Sequence, residues 1–348
     1  MTSPRAHHDL LGRLSAGVSL TQDETADAVD GIMSGAWSEG EIALFLTGLA
    51  EKGETVEELA GAARAMRRHM QRIRTSRTGV VDTCGTGGTG STIFNVSTTA
   101  ALVVAATGVP VAKHGNRKVT SRCGSADVLA ELGVNIQADV RTVEACLDEL
   151  GICFCFAPLM HAAMKHVAPV RQKLGIRTIF NLLGPASNPA GAPFQLLGVG
   201  RADLMPLLAG ALALLDTERT TVVCGDDGLG EVTIGAGTKV RLVSRAAAGE
   251  PHLTSVHTWT PGTFGLPQAP SLAPLSIDSP AAGAAIVRDV LAGKPGPARD
   301  IVVANAAAAL WTAGKFAALR EAARAAERTL DVGAAAELLR RLVERSHA

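Results

Sequence analysis

The stretch Asp82 to Thr92 reads DTCGTGGTGST, with Gly85, Gly87 and Gly90 in G-x-G-x-x-G spacing. The apolar run GVVDTC precedes it, and a helical pattern from Ser97 to Ala106 follows. A strand, a glycine turn and a helix in that order open a βαβ unit. The glycines let backbone N–H groups approach an anion, and the helix turns its positive end towards the same point. The spacing alone serves either a dinucleotide or some other phosphate.

The residues beyond the loop separate these readings. A dinucleotide turn needs a carboxylate about 20 residues on, at the end of the second strand, to hold a ribose. Here the second strand, VPVAK, ends in Lys113-His114-Gly115-Asn116-Arg117-Lys118. No Asp or Glu occurs from Thr83 through Ala126, whereas Lys113, Arg117, Lys118 and Arg122 do. Hydroxyls crowd the same stretch: Thr86, Thr89, Ser91, Thr92, Ser97, Thr98, Thr120 and Ser121. Such a segment suits a strongly anionic ligand, so a phosphate or pyrophosphate cradle is expected. A dinucleotide turn and a ligand-free structural turn are the alternatives. No G-K-[ST] closes the loop, which excludes a P-loop.

The first 70 or so residues read as helices. Three capping boxes mark their starts: Thr21-x-x-Glu24, Ser38-x-x-Glu41 and Thr55-x-x-Glu58. Apolar stripes follow, as with Ile42, Leu44, Phe45 and Leu49. Helices this short must pack together or against a partner. From Gly79 onward, Val-rich runs (GVVDTC, VPVAK, TTVVC, TKVRLV) alternate with Ala- and Leu-rich helical stretches. The expected fold is therefore α/β: a small, mainly N-terminal helical domain over 1–74 and a larger α/β domain over 75–348 with a largely parallel central sheet. The segment 244–279 reads as loops and extended chain, and 317–328 and 332–344 as helices.

Aromatics are 3% and Tyr is absent, so Ala, Leu and Val must build the core. Lys+Arg and Asp+Glu balance at 33 each, which argues against a bulk nucleic-acid or membrane-surface role. The start, MTSPRAHHDL, lacks the apolar core of a signal peptide, and no apolar run suits a membrane span. The six cysteines show no zinc spacing and read as buried, reduced thiols of a cytoplasmic protein. No Ser-His-Asp or Cys-His arrangement is visible.

Four segments resemble the anthranilate phosphoribosyltransferase family: GTGGTGSTIFNVSTT from Gly85, KHGNRKVTSRCGSADVLAELG from Lys113, FAPLMHAAMKHVAPVRQKLGIRTIFNLLGPASNP from Phe156 and GDDGLGEVT from Gly225. The N-terminal helices and RDIVVANAAAAL are similar too, so the resemblance spans nearly the whole chain. It implies transfer of a phosphoribosyl group from 5-phosphoribosyl 1-pyrophosphate to the amine of anthranilate, with Mg²⁺, in tryptophan biosynthesis. It also implies a homodimer joined through the N-terminal helices, with about 165–188 crossing to the helical domain so that the site lies in a cleft.

By this resemblance, phosphoribosyl pyrophosphate would lie on Gly85, Gly87, Gly88, Thr89, Asn95, Ser97, Thr98, Lys113, Asn116, Arg117, Ser121 and Ser125. Gly85, Asn116, Pro158, His161, Met164 and Arg171 would take anthranilate, with Arg171 forking its carboxylate and Asn116 holding its amine. Lys113, Asn116 and Arg171 are the expected catalytic residues, and Ser97 with Glu231 the metal ligands. The chain departs from the family's usual pattern at four places. Thr89 and Gly230 stand where Asp is usual, Ala162 for Pro and Cys224 for His. Other readings are a pyrimidine-nucleoside-phosphorylase-like enzyme, a non-catalytic nucleic-acid-binding relative and an inactive paralogue.

Overall fold

The computed structural model describes residues 4–87, 92–118, 122–247, 250 and 252–348. Four helices come first: α1 (Pro4–Ser15), α2 (Gln22–Met33), α3 (Glu39–Lys52) and α4 (Val56–His69). Each expected capping box is formed, with Thr21, Ser38 and Thr55 accepting from the backbone of Glu24, Glu41 and Glu58. Ile42, Phe45 and Leu49 turn into the bundle, but Leu44 is 64% exposed and does not belong to the stripe. It precedes Phe45 by one position, about 100° around the helix.

Among the described residues, seven strands form one sheet in the order β3-β2-β1-β4-β5-β6-β7. They are β1 (Val81–Gly85), β2 (Val111–Gly115), β3 (Ile152–Phe156), β4 (Phe194–Gly198), β5 (Arg219–Gly225), β6 (Thr238–Ser244) and β7 (Leu253–Trp259). β1 to β5 pair in parallel, and β6 pairs antiparallel with both β5 and β7. Helix α5 (Val96–Ala106) connects β1 to β2, and α6 (Ser125–Glu131) follows β2. Strand alternation divides the core. Cys84, Leu197, Val222 and Val243 face the bundle, together with Val167, Val170, Ile179 and Phe180. Val81, Leu196, Val223 and Val240 face α5 and the helix Pro297–Thr312 on the other side. Because α5 is apolar nearly all round, it is buried on all sides. Its first turn is thereby held at the C-terminal ends of β1 and β2, where α/β sheets bind ligands.

The bundle is locked by a charge without access to water. Glu58 accepts from the backbone N–H groups of Leu20 (2.9 Å) and Thr55 (2.8 Å) and from the Lys52 ammonium (2.9 Å), with its side chain 0% exposed. Glu58→Ala should therefore cost about 3–5 kcal/mol, the range for stranding a buried partner. Thr55→Ala, which removes one helix cap, should cost about 1 kcal/mol. Urea denaturation of both variants checks the ratio.

Candidate active site

The phosphate-facing part is built where β1, β2 and α5 meet. Lys113, in β2, is 3% exposed, and its ammonium donates to Thr83 O and to Ser97 Oγ at 3.4 Å. Thr83 Oγ1 in turn donates to Ser97 O at 2.9 Å, tying β1 to the first turn of α5. Asp82 is fully buried, and one of its carboxylate oxygens accepts from His114 N–H at 3.3 Å. Among the described residues its other oxygen has no partner. Burial raises the Asp82 carboxyl and lowers the Lys113 ammonium, each shift opposed by the charge of the other. β2 thus carries a lysine, and no carboxylate follows it in the 116–118 stretch, where a dinucleotide fold needs one.

The glycine turn leaves the sheet at Gly85, which is exposed, and Gly87 has φ +64°, a left-handed conformation that favours glycine. Gly88, Thr89 and Ser121 lie outside the described residues. Asn95 caps α5 by position; its amide nitrogen donates to Cys123 O at 3.1 Å. Asn95 Oδ1 and Thr98 Oγ1 are buried without a partner among the described residues.

Beyond β2, Asn116, Arg117 and Lys118 are exposed. Asp127, absent from the expected set, pins this loop. It accepts from Lys118 N–H (2.8 Å), Gly124 N–H (3.0 Å) and the Arg117 guanidinium (3.1 Å). Ser125 Oγ donates to Asn116 O at 3.3 Å. The signal for Asp127 is its place three residues after Gly124 at the start of α6, a capping position.

Arg171 sits on the helix Ala168–Leu174, which Gly175 ends at φ +64°. Its guanidinium is partly buried, 5.7 Å from the Phe180 ring centroid, and donates to Asn181 Oδ1 at 3.3 Å. Among the described residues no carboxylate pairs with it, and burial lowers its pKa. Asn181 is a second residue outside the expected set; Thr178 N–H also donates to it at 3.0 Å. Pro158 is exposed, and Met164 packs against the bundle core. His161 is buried, its Nε2 3.2 Å from His114 Nε2, while His114 Nδ1 lies 3.1 Å from Gly184 O. Burial pushes His114 down to about 4 and His161 to about 3, so both are neutral. His114 therefore links the Lys113 strand to the 157–188 segment that carries Arg171. Among the described residues no contact brings Arg171 directly onto the Lys113 cluster.

Glu231 lies next to the Lys113 cluster. Burial raises its carboxyl to about 7, with Lys113 and the Ser97 backbone pulling the other way. Its position depends on Gly198 at the end of β4, where a Cβ would fall 1.8 Å from Gly230 O. A Cβ on Gly230 would itself meet Gly200 N at 3.2 Å. Asp227 accepts from Leu229 N–H and Thr233 Oγ1, and Asp226 lies 3.4 Å from the Lys239 ammonium, so both serve the turn.

Residues 77–336 match the a/b domain of a glycosyl transferase family, and residues 8–70 match its helical bundle domain. Anthranilate phosphoribosyltransferase of Moorella thermoacetica is 49% identical over 333 residues, 96% of either chain. The chain belongs to the anthranilate phosphoribosyltransferase family. Its relative in Rhodopirellula baltica is 44% identical, covering 97% of this chain and 96% of that one. The Thermus thermophilus anthranilate phosphoribosyltransferase structure superposes with a TM-score of 0.89 at 40% identity, covering 98% and 100% of the two chains. The Saccharomyces cerevisiae enzyme in complex with PRPP and Mg also gives 0.89, at 28% identity and 99% coverage of each.

A magnesium ion needs oxygen ligands and is often held by one or two carboxylates plus substrate phosphates and water. Among the described residues no group of three His, Cys, Asp or Glu side chains gathers as a metal cage. The Glu231 carboxyl, half-buried at the surface and raised by desolvation, fits such a one-carboxylate site near the first turn of α5. Gly198→Ala should displace the Gly230–Glu231 backbone. Turnover should fall well below that of Gly191→Ala, whose Cβ meets nothing within 4 Å but whose φ of +62° carries ordinary strain. Parallel melting curves and rates for the two variants separate loop displacement from general destabilisation.

Proposed function

We propose that the chain transfers the phosphoribosyl group of 5-phosphoribosyl 1-pyrophosphate to the amine of anthranilate, giving N-(5-phosphoribosyl)anthranilate and pyrophosphate. The observation that carries this reading is a pair of buried or half-buried cations without carboxylate contacts among the described residues. Lys113 lies under the glycine turn, and Arg171 lies on the 157–188 segment. Lys113 meets Asp82 and Glu231 only through space, which leaves its donors open to an anionic ligand. The proposal includes a cytoplasmic homodimer with the helical domain over 1–74 and the α/β domain over 75–348.

Each residue has a role in this reading. The Gly85–Thr89 turn and the first turn of α5, with Asn95, Ser97 and Thr98, receive the pyrophosphate. The Lys113 ammonium faces the same oxygens and stabilises the charge that grows as the anomeric C–O bond breaks. Arg117, Ser121 and Ser125 hold the ribose 5-phosphate. Arg171 forks the anthranilate carboxylate, Asn116 orients the amine, and Pro158, His161 and Met164 line its approach. Ser97 and Glu231 would hold Mg²⁺, which supplies neutralisation of the leaving pyrophosphate. The aromatic amine is neutral at pH 7 and attacks with its own lone pair. The nitrogen releases its proton once the C–N bond has formed, so no dedicated base is required.

Anthranilate fluorescence tests the reading. It should fall on mixing enzyme, phosphoribosyl pyrophosphate and Mg²⁺, and persist when any one is omitted. Unchanged fluorescence with all three present would refute the activity.

Two variants test the assignments. Arg171→Ala should weaken anthranilate binding by about 2–5 kcal/mol, the cost of removing one member of a buried charge pair. Phosphoribosyl pyrophosphate affinity, measured by calorimetry, should change little. Glu231 must lose its proton to accept a metal. Its raised pKa of about 7 means that the Mg²⁺ requirement should climb as pH drops through neutrality. Initial rates against Mg²⁺ at pH 6 and pH 8 should show that trend in wild type and lose it in Glu231→Gln.

A further inference from the structure

The opposite end of the sheet holds a constellation that this reaction does not use. Residues 70–80 lead from α4 into β1 there, and 191–193 lead into β4. Two adjoining cavities of about 550 and 340 Å³ share Ile73, Ala190, Gly191 and Pro193. The smaller is walled by Arg67, Met70 and Arg72 from the bundle side and by Leu212 and Leu215 from the α/β side. It lies one five-residue strand away from the glycine turn, and Arg171 is not on its walls.

Its wall carries two arginines and two acids, and the arginines have no carboxylate partner within contact distance among the described residues. Arg67 donates to Ala186 O (2.7 Å) and Leu215 O (3.3 Å), both neutral carbonyls. Among the described residues no carboxylate pairs with Arg67 or Arg72, nor with Arg74 or Arg77 on the larger cavity. The two acids on the wall, Asp216 and Glu218, are both drawn to Arg245. Burial lowers the Arg67 pKa and the Arg72 charge lowers it further, against a weaker pull from Asp216. Two guanidiniums thus face one space with an apolar floor. The nearby hydroxyl, Thr217 Oγ1, is already engaged with Pro193 O and Thr220 Oγ1. The Arg72 fork and the remaining Nη2 edge of Arg67, without free hydroxyls, match a carboxylate better than a phosphate, which needs more donors.

We propose that this linker cavity binds a small organic carboxylate, held by Arg67 and Arg72 with its apolar body against Met70, Ile73, Leu212 and Leu215. Because its walls come from both the bundle and the α/β layers, an occupant fastens the two together at the end remote from the glycine turn. The ligand site is thereby separate from the acceptor pocket around Arg171.

Isothermal titration of the full chain with cyclohexanecarboxylate tests this, with Arg171→Ala included so that binding at the acceptor pocket is recognised. Saturable binding is expected in wild type and in Arg171→Ala. Arg72→Gln should weaken it by about tenfold or more, the scale of one lost charge-assisted contact. Steady-state rates of Arg72→Gln without the probe should match wild type. The neutral isostere cyclohexylmethanol should give no saturable heat. The proposal is overturned by no saturable binding in wild type, by its loss in Arg171→Ala, or by unchanged binding in Arg72→Gln. Equal binding of the alcohol, or tighter binding of inorganic phosphate, overturns the carboxylate class.

Discussion

The site depends on one buried ammonium. Lys113 is held by Thr83 O and Ser97 Oγ, so a single cation fixes the relation of β2 to β1 and of both to the first turn of α5. Removing such a charge from water is costly unless something compensates it. Asp82 compensates through space, and burial moves both groups towards neutrality. Glu231 adds to that compensation. The polarity of the site thus follows from where a parallel sheet places its strand ends, and the buried, mostly apolar body of α5 holds that end in place.

The acceptor side is organised differently. Arg171 is oriented by Asn181 and by the Phe180 ring, on a short helix whose neighbours Val167 and Val170 are buried in the bundle core. The neutral pair His114–His161 joins this segment to the Lys113 strand without adding charge between the two substrates. In the proposed reading, uncharged histidines leave Lys113 and Arg171 as the cations that would meet an anionic donor and an anionic acceptor. The metal side is sparse. Thr89 and Gly230 stand in place of the family's usual carboxylates, so in the proposed reading Glu231 would carry that task, and Gly198 leaves the room that the Gly230 backbone occupies.

Much of this was legible in the chain. The capping boxes at Thr21, Ser38 and Thr55 are local signals and formed as written. The strand–glycine–helix unit is equally local, and so is the acid-free stretch after it. Leu44 misled because an apolar residue at helical spacing reveals its face only once neighbours are placed. Asp127 and Asn181 were missed for a related reason. Their task is to hold Arg117 and Arg171, and a holding residue is defined by tertiary contact rather than by spacing. Asp82 was hidden inside an apolar run, where a charge is least expected. The crowding at Gly198 and the linker cavity come from chain segments distant in sequence, so no local pattern announces them.

The central claim is that the Lys113 ammonium is the fixed charge that receives the donor's pyrophosphate. The most direct measurement is the calorimetric affinity of Lys113→Met for phosphoribosyl pyrophosphate with Mg²⁺, taken beside its melting temperature. The account predicts a folded protein whose affinity drops by roughly 10- to 100-fold, the scale of a lost hydrogen bond to a charged group. Undiminished affinity in a folded Lys113→Met protein would contradict it.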